Sequence, residues 1–271
     1  MFFPDLDFVI ACIALGTVAG FFAGMLGIGG GTLLVPMLVM LFERQQVAPE
    51  NILHLALGTS MAAIVMSAAI SLRTHHRHGA VDWRIVRIMT VGVLAGTAIG
   101  TYVARLVSTR ELSIFFSVFI GYVALNMLFG GKTKPSRQLP GAPGLMAAGG
   151  GIGMVSALVA VGGGAMTVPF LTWCNRDMRG AIGTAAALGL PIALGGTAGY
   201  IFNGWHVAGL PPHSVGYVYL PALLAIVSAS LFTTPMGARA AHRWPVHWLK
   251  RIFSILLIVL CARMLWKLWN P

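Results

Sequence analysis

The feature that most constrains this chain is a glycine break repeated inside membrane-length apolar runs. GIGGGTLLVP at residues 27–36 returns as VGGGAMTVP at 161–169. No Asp, Glu, Lys or Arg occurs from Phe8 to Phe42, from Gln138 to Asn175 or from Gly180 to Ala238. Each of these runs exceeds the roughly 20 residues that cross a bilayer as a helix, so several of them cross twice. A chain that is 57% hydrophobic and 9% charged, with mean hydropathy +0.83, has too little polar surface to coat a soluble globule. The net charge of +11 would suggest nucleic acid in a soluble protein. Here the cations lie in short loops between apolar runs, where they orient a chain in the lipid bilayer, and no nucleic-acid partner is expected.

Apolar stretches fall at about 8–26, 32–42, 55–72, 85–104, 112–129, 144–161, 165–174, 181–202, 215–238 and 249–265. All seven tryptophans stand at the ends of these stretches, where an amphipathic ring suits the headgroup layer. Cys12, Cys174 and Cys261 lie in or beside apolar segments without a CxxC pair, which indicates packing residues rather than a disulfide framework or zinc site. The start, MFFPDLDF, has two acids and no basic leader, so it does not read as a cleaved signal peptide.

The two halves match internally. Gly16, Gly20, Gly29 to Gly31 and Pro36 correspond to Gly149, Gly153, Gly162 to Gly164 and Pro169. Downstream, LGTS at 57–60 pairs with IGTA at 182–185, VAR at 103–105 with GAR at 237–239, and NML at 126–128 with RML at 263–265. Four matches in the same order point to duplication. Residues 1–130 form the first repeat, 131–143 a cytoplasmic linker and 144–271 the second repeat.

Charge decides how the repeats are oriented. If the short stretches 32–42 and 165–174 do not cross, the repeats are parallel and the 18 Lys and Arg divide evenly between the two sides. If they cross, the repeats are inverted with both termini outside. The cytoplasm then receives 13 cations: Arg73, Arg77, Arg84, Arg87, Lys132, Lys134, Arg137, Arg176, Arg179, Arg239, Arg243, Lys250 and Arg251. Arg44, Arg105, Arg110, Arg263 and Lys267 face outward. That is the ordinary positive-inside bias. The fold expected is therefore an all-α membrane protein of two inverted repeats, each with about five membrane segments and Gly-broken helices, as in many secondary transporters.

Three consecutive glycines make a poor helix interior, each costing about 1 kcal/mol relative to Ala. A helix that stops and restarts there frees backbone groups, which is tolerated at membrane depth only inside protein or along a wet cavity. The restarted helix presents N–H groups and the positive end of its dipole, an anion site. No Asp or Glu lies within a predicted span, so the carboxylates of a cation or proton path are missing. A small anionic substrate is expected, with no metal and no cofactor. The expected donors are Gly29, Gly30, Gly31, Thr32, Gly58, Thr59, Ser60, Gly162, Gly163, Gly164, Thr167, Gly183 and Thr184, with Asn126 a weaker candidate. A single hydroxyl more often bonds its own helix; the cluster carries the argument. The small-xxx-small series Gly16, Gly20, Gly24 and Gly92, Gly96, Gly100 reads as close helix packing. The run HHRH at 75–78 reads as a basic cytoplasmic loop, and His54, His206 and His213 as interfacial residues. An intramembrane enzyme would need a nucleophile, base or metal centre in the spans, and the residues form no such constellation.

The chain resembles the sulfite exporter TauE/SafE group of membrane transporters over essentially its whole length. The resemblance rests on Gly27, Gly29, Gly30, Gly31 and Pro36, on the echo at Gly162, Gly163, Gly164 and Pro169, and on Gly58 to Ser60 with Gly183 and Thr184. The second copy departs from the pattern, with Ala160 where the first has Gly27. The resemblance implies a multi-pass bacterial inner-membrane permease, an exporter, for sulfur-containing anions such as sulfite, thiosulfate or organosulfonates. A small carboxylate or other organic anion is the alternative that the same donors would accept. Oligomeric state, coupling ion and transport direction are not encoded in any motif found.

Overall fold

The computed structural model describes residues 5–26, 30–129, 136–240 and 246–269. Gly27, Gly29 and linker residues 130–135 lie outside the described residues. Ten α-helices are present among those described: α1 (Leu6–Leu26), α2 (Gly31–Arg44), α3 (Ile52–Arg77), α4 (Trp83–Leu106), α5 (Thr109–Phe129), α6 (Ala142–Val159), α7 (Gly164–Trp173), α8 (Met178–Gly204), α9 (Leu220–Ala240) and α10 (Val246–Trp269). Each coincides with an apolar stretch of the sequence. Seven of them, α1, α3, α4, α5, α6, α8 and α9, are long and apolar enough to span a membrane. Phe129, Phe202 and Phe232 are 77%, 78% and 76% exposed, a surface suited to lipid and not to water. The protein is a multi-pass helical membrane protein.

Local chemistry sets the helix ends. Asp82 caps α4 by accepting the N–H groups of Arg84 and Ile85, and Asp177 caps α8 by accepting that of Gly180, each satisfying amides that have no helical partner. The stretch 215–238 differs from its sequence reading at its start: Ser214–Val215 and Val218–Tyr219 form a short antiparallel hairpin before α9 begins. The two-residue turn Gly216–Tyr217 needs a positive φ at its first position, and Gly216 supplies it at +55°.

Helix directions follow from which residues face each other. Gly16 and Gly20 of α1 press on the backbone of Ile226 and Ser230, and Gly237 of α9 presses on Phe21, so α1 and α9 are parallel. Gly92, Gly96 and Gly100 of α4 lie against Met146, Gly150 and Met154 of α6, and Gly195 and Gly199 of α8 lie against Thr97 and Thr101. Thus α4, α6 and α8 are also mutually parallel. Between α3 and α8 the order reverses: Gly58 meets Tyr200, Met61 meets Gly196 and Ala68 meets Gly189. At the start of α3, Thr59 bonds Tyr219 just before α9, while at their far ends His75 and Arg239 share a cavity. Therefore α1, α3 and α9 run one way and α4, α6 and α8 the other.

This order requires α2 to return the chain between α1 and α3, and α7 to do so between α6 and α8. The stacking of Phe8 on Phe42, 6.2 Å between ring centroids, fits α2 folding back along α1. With 14 and 10 residues, α2 and α7 cover only about 21 and 15 Å at 1.5 Å per residue, less than the ~30 Å core. Both therefore start inside the membrane. The hairpin and the starts of α1, α3 and α9 mark one side of the molecule; Arg73, Arg77, Arg84, Arg87, Arg137, Arg176 and Arg179 mark the other, the basic side. The arrangement is consistent with two inverted copies.

A candidate anion site where the glycine breaks meet

Each break is a distinct backbone device. Gly30 precedes α2 in the left-handed region, φ +73°, which a side chain disfavours. The N–H groups of Leu33 and Leu34 both reach the Gly30 carbonyl at 3.2 and 3.1 Å, leaving the Gly31 and Thr32 amides outside the helical ladder. In the second break it is Ala160, following α6, that takes the left-handed turn at φ +46°, whereas Gly163 is right-handed. The first ladder bond of α7 runs from the Thr167 N–H to the Gly163 carbonyl, 3.0 Å.

The two breaks are in contact. Gly31 packs against the carbonyl of Ala160 and the side chain of Ile64, the midpoint of α3. Gly163 packs against the carbonyl of Ala185 and the backbone of Gly189, near the midpoint of α8. Any Cβ at Gly31 or Gly163 would overlap a carbonyl oxygen, so glycine is what lets the chains approach. Both breaks sit where α3 and α8 cross, deep in the membrane.

A cavity of about 420 Å³ opens from this junction to the basic side. Gly162, Gly163 and Gly164 border it together with Ala185, Ala186 and Gly189, and His75 and Arg239 stand with Thr74 farther along it. Ser67, Ser71 and Thr74 of α3 form a polar line from the breaks outward. Ala23 and Ser67 also border a small void beside Gly30 and Leu34, so the two breaks flank adjoining spaces. No Asp or Glu is among the residues lining either space. Its charge comes from Arg239 and the helix N-terminus, both suited to an anion.

The sequence-predicted residues divide into three groups. Gly162, Gly163 and Gly164 line the cavity, with Gly30 and Gly31 beside them. Thr32, Ser60 and Thr167 are fully buried, and their hydroxyls have no hydrogen-bond partner among the described residues. Buried polar atoms are nearly always paired, so these three retain capacity for a ligand. The third group is engaged elsewhere. Thr59 Oγ1 accepts the Tyr219 N–H at 3.0 Å and Thr184 Oγ1 accepts the Asp82 N–H at 3.0 Å. Beside them, Gly58 and Gly183 lie against the carbonyls of Tyr217 and Ala80. These four positions seat the segments that lead into α9 and α4, in matching fashion. Gly29 lies outside the described residues.

Ser67, Ser71, Thr74, His75 and Arg239 were not among the candidates. The signal was available: residues 67, 71 and 74 are spaced by four and three, one face of an α-helix, and that polar face continues into the HHRH run. His75 and His76 prove to be in the last turn of α3, not in a loop. His54 is buried, its Nε2 2.7 Å from the Ala104 carbonyl, which replaces the interfacial role expected for it.

Comparison with known proteins agrees with this architecture. The profile of the family described as sulfite exporter TauE/SafE matches residues 12–264. The chain belongs to the TauE/SafE family. A relative from Haemophilus influenzae, named "probable membrane transporter protein", is 37% identical over 96% of this chain and 99% of its own length. A Bacillus subtilis relative, "probable membrane transporter protein YunE", is 23% identical over 97% and 98%. One from Methanocaldococcus jannaschii, also named a probable membrane transporter protein, is 23% identical over 93% and 94%. No solved structure matches the chain. As a TauE/SafE membrane transporter, the protein brings its own two Gly-rich breaks together at one junction.

Proposed function

We propose that the chain is a secondary transporter that exports sulfur-containing anions, such as sulfite, thiosulfate or organosulfonates, across a bacterial inner membrane. The meeting of two glycine breaks at the α3–α8 crossing, beside a cavity lined by no Asp or Glu, carries this reading; Thr32 and Thr167 stand in the first turns of the restarted helices and Ser60 one turn from Ile64, their hydroxyls without a partner among the described residues. The solute rests against the N-terminal amides of α2 and α7 and the hydroxyls of Thr32, Ser60 and Thr167; Gly58, Thr59, Gly183 and Thr184 position the surrounding backbone. An oxyanion offers several acceptor oxygens to such donors, and the site needs no buried Lys, Arg, metal or cofactor. The two halves are inverted repeats, residues 1–130 and 144–271 joined by the linker 131–143, and the positive-inside bias places the basic side in the cytoplasm and both termini outside.

A carboxylate is the second reading, because the same donors accept it. The cavity volume lies in the range of small-molecule sites, and its apolar members Ile64, Ile70 and Pro235 leave room for an organic tail. Thermal unfolding of the purified protein with sulfite, a sulfonate, a carboxylate or a divalent cation tests the choice. Stabilisation by sulfur oxyanions or sulfonates is expected; stabilisation by the carboxylate alone rejects the substrate class, and by the cation alone rejects the anion site.

A further inference from the structure

The cavity from the breaks is lined toward the basic side; toward the other side the small void beside Gly30 and an outer cavity at Phe42 share no lining residue. Leu34, Leu38 and Phe42 follow one face of α2 at one-turn spacing. Leu34 borders the void beside Gly30, Leu38 is wholly buried, and Phe42 borders a separate cavity of about 250 Å³ on the hairpin side. Tyr219 borders that outer cavity as well. The rings of Phe8, Phe42 and Tyr219 are mutually packed, with centroids 5.8 to 6.2 Å apart, and each is buried. They come from three elements: α1, α2 and the hairpin before α9. Tyr219 is also tied by its N–H to Thr59, the residue before the unpartnered Ser60.

The matching position on the basic side is built differently. There Asp82, whose N–H is tied to Thr184 as that of Tyr219 is to Thr59, forms an exposed ion pair with Arg176 at 3.5 Å and borders a separate surface cavity with Asp177 and Arg179; no aromatic cluster covers it among the described residues.

We propose that Phe8, Phe42 and Tyr219 are the closed gate of the transporter on the hairpin side, and that this structure is the state open to the basic side. The Thr59–Tyr219 bond couples the gate to the site: a solute that draws the α3 backbone near Ser60 shifts the hairpin and with it the Tyr219 ring. The inference rests on the transport reading above, and a two-part experiment separates them. Both parts use a chain with Cys12, Cys174 and Cys261 replaced by Ala.

In the first part, Phe8→Cys with Phe42→Cys is bridged by a short, reducible bis-methanethiosulfonate in proteoliposomes. Bridging should stop sulfite or sulfonate flux and reduction should restore it. Unchanged flux when bridged, or failure to bridge, overturns the gate. The second part needs no transport. Ser71→Cys is exposed to an impermeant maleimide from each side of the membrane. A minor state populated at about 10% or less makes labelling from the basic side faster by about tenfold or more, and Phe42→Ala with Tyr219→Ala, or the milder Phe42→Leu, should remove the difference. Equal labelling from both sides with all three rings present overturns the gate. One-sided labelling in a protein that carries no anion rejects the transport reading and leaves the gate standing.

Discussion

At the scale of single residues, the hydroxyls of Thr59 and Thr184 act on backbone. Each accepts an N–H from a segment far away in sequence, 160 and 102 residues distant. Valine keeps the shape and orphans that N–H, which costs about 1–3 kcal/mol when the group is buried. Thr59→Val and Thr184→Val should therefore lower the thermal unfolding midpoint in detergent, and serine at either position should recover most of it. An unchanged midpoint would mean that neither bond holds the fold. Ala160 offers the opposite test. Its left-handed φ of +46° costs a non-glycine residue roughly 1–2 kcal/mol, so Ala160→Gly should raise the midpoint, less the entropy that glycine loses on folding. A fall would show that the methyl group packs more favourably than the strain costs.

At the scale of elements, small residues determine which helices can touch. Gly96 of α4 meets the carbonyl of Gly150 on α6, whereas Gly121 of α5 has open space where a Cβ would go. Gly96→Leu should prevent the α4–α6 contact and yield unstable or poorly inserted protein. Gly121→Ala should be harmless or stabilising by up to about 1 kcal/mol; equal effects in an expression and melting comparison would contradict this assignment. Glycines at the breaks differ from both. Gly163→Ala places a methyl 2.6 Å from the Ala185 carbonyl at the end of a short helix, so the protein should still insert while transport falls. The ten helices were legible in the sequence because charge-free runs and interfacial Trp residues act locally. The hairpin at 214–219 was not, because its Val and Tyr residues read as the start of an apolar run, and only the turn at Gly216 divides them.

At the scale of the whole molecule, the opposed directions of α3 and α8 and the return of α2 put the start of α1 on the hairpin side, and the Lys267–Glu43 ion pair at 2.8 Å puts the end of α10 there too, beside the end of α2. Reporter fusions after Trp269 and within 205–213 should read as periplasmic, and one at Arg137 as cytoplasmic; a cytoplasmic C-terminus would contradict the topology. The absence of Asp and Glu from the cavity lining was legible from the carboxylate-free spans, and the junction from the repeated glycines. Which hydroxyls are already taken by distant backbone was not, since a threonine's partner depends on backbone that tertiary packing alone brings near. So Thr59 and Thr184 looked like Thr32 and Thr167 in sequence, and Ser67, Ser71 and Thr74 became conspicuous only once α3 was seen beside the breaks. The central claim is that two glycine breaks form one anion site, and flux in proteoliposomes tests it most directly. Wild type should carry sulfite, thiosulfate or a sulfonate and not a divalent cation, while Gly31→Ala and Gly163→Ala, inserted normally, should each abolish that flux. Full anion flux through both variants, or flux of the cation alone, would contradict the account.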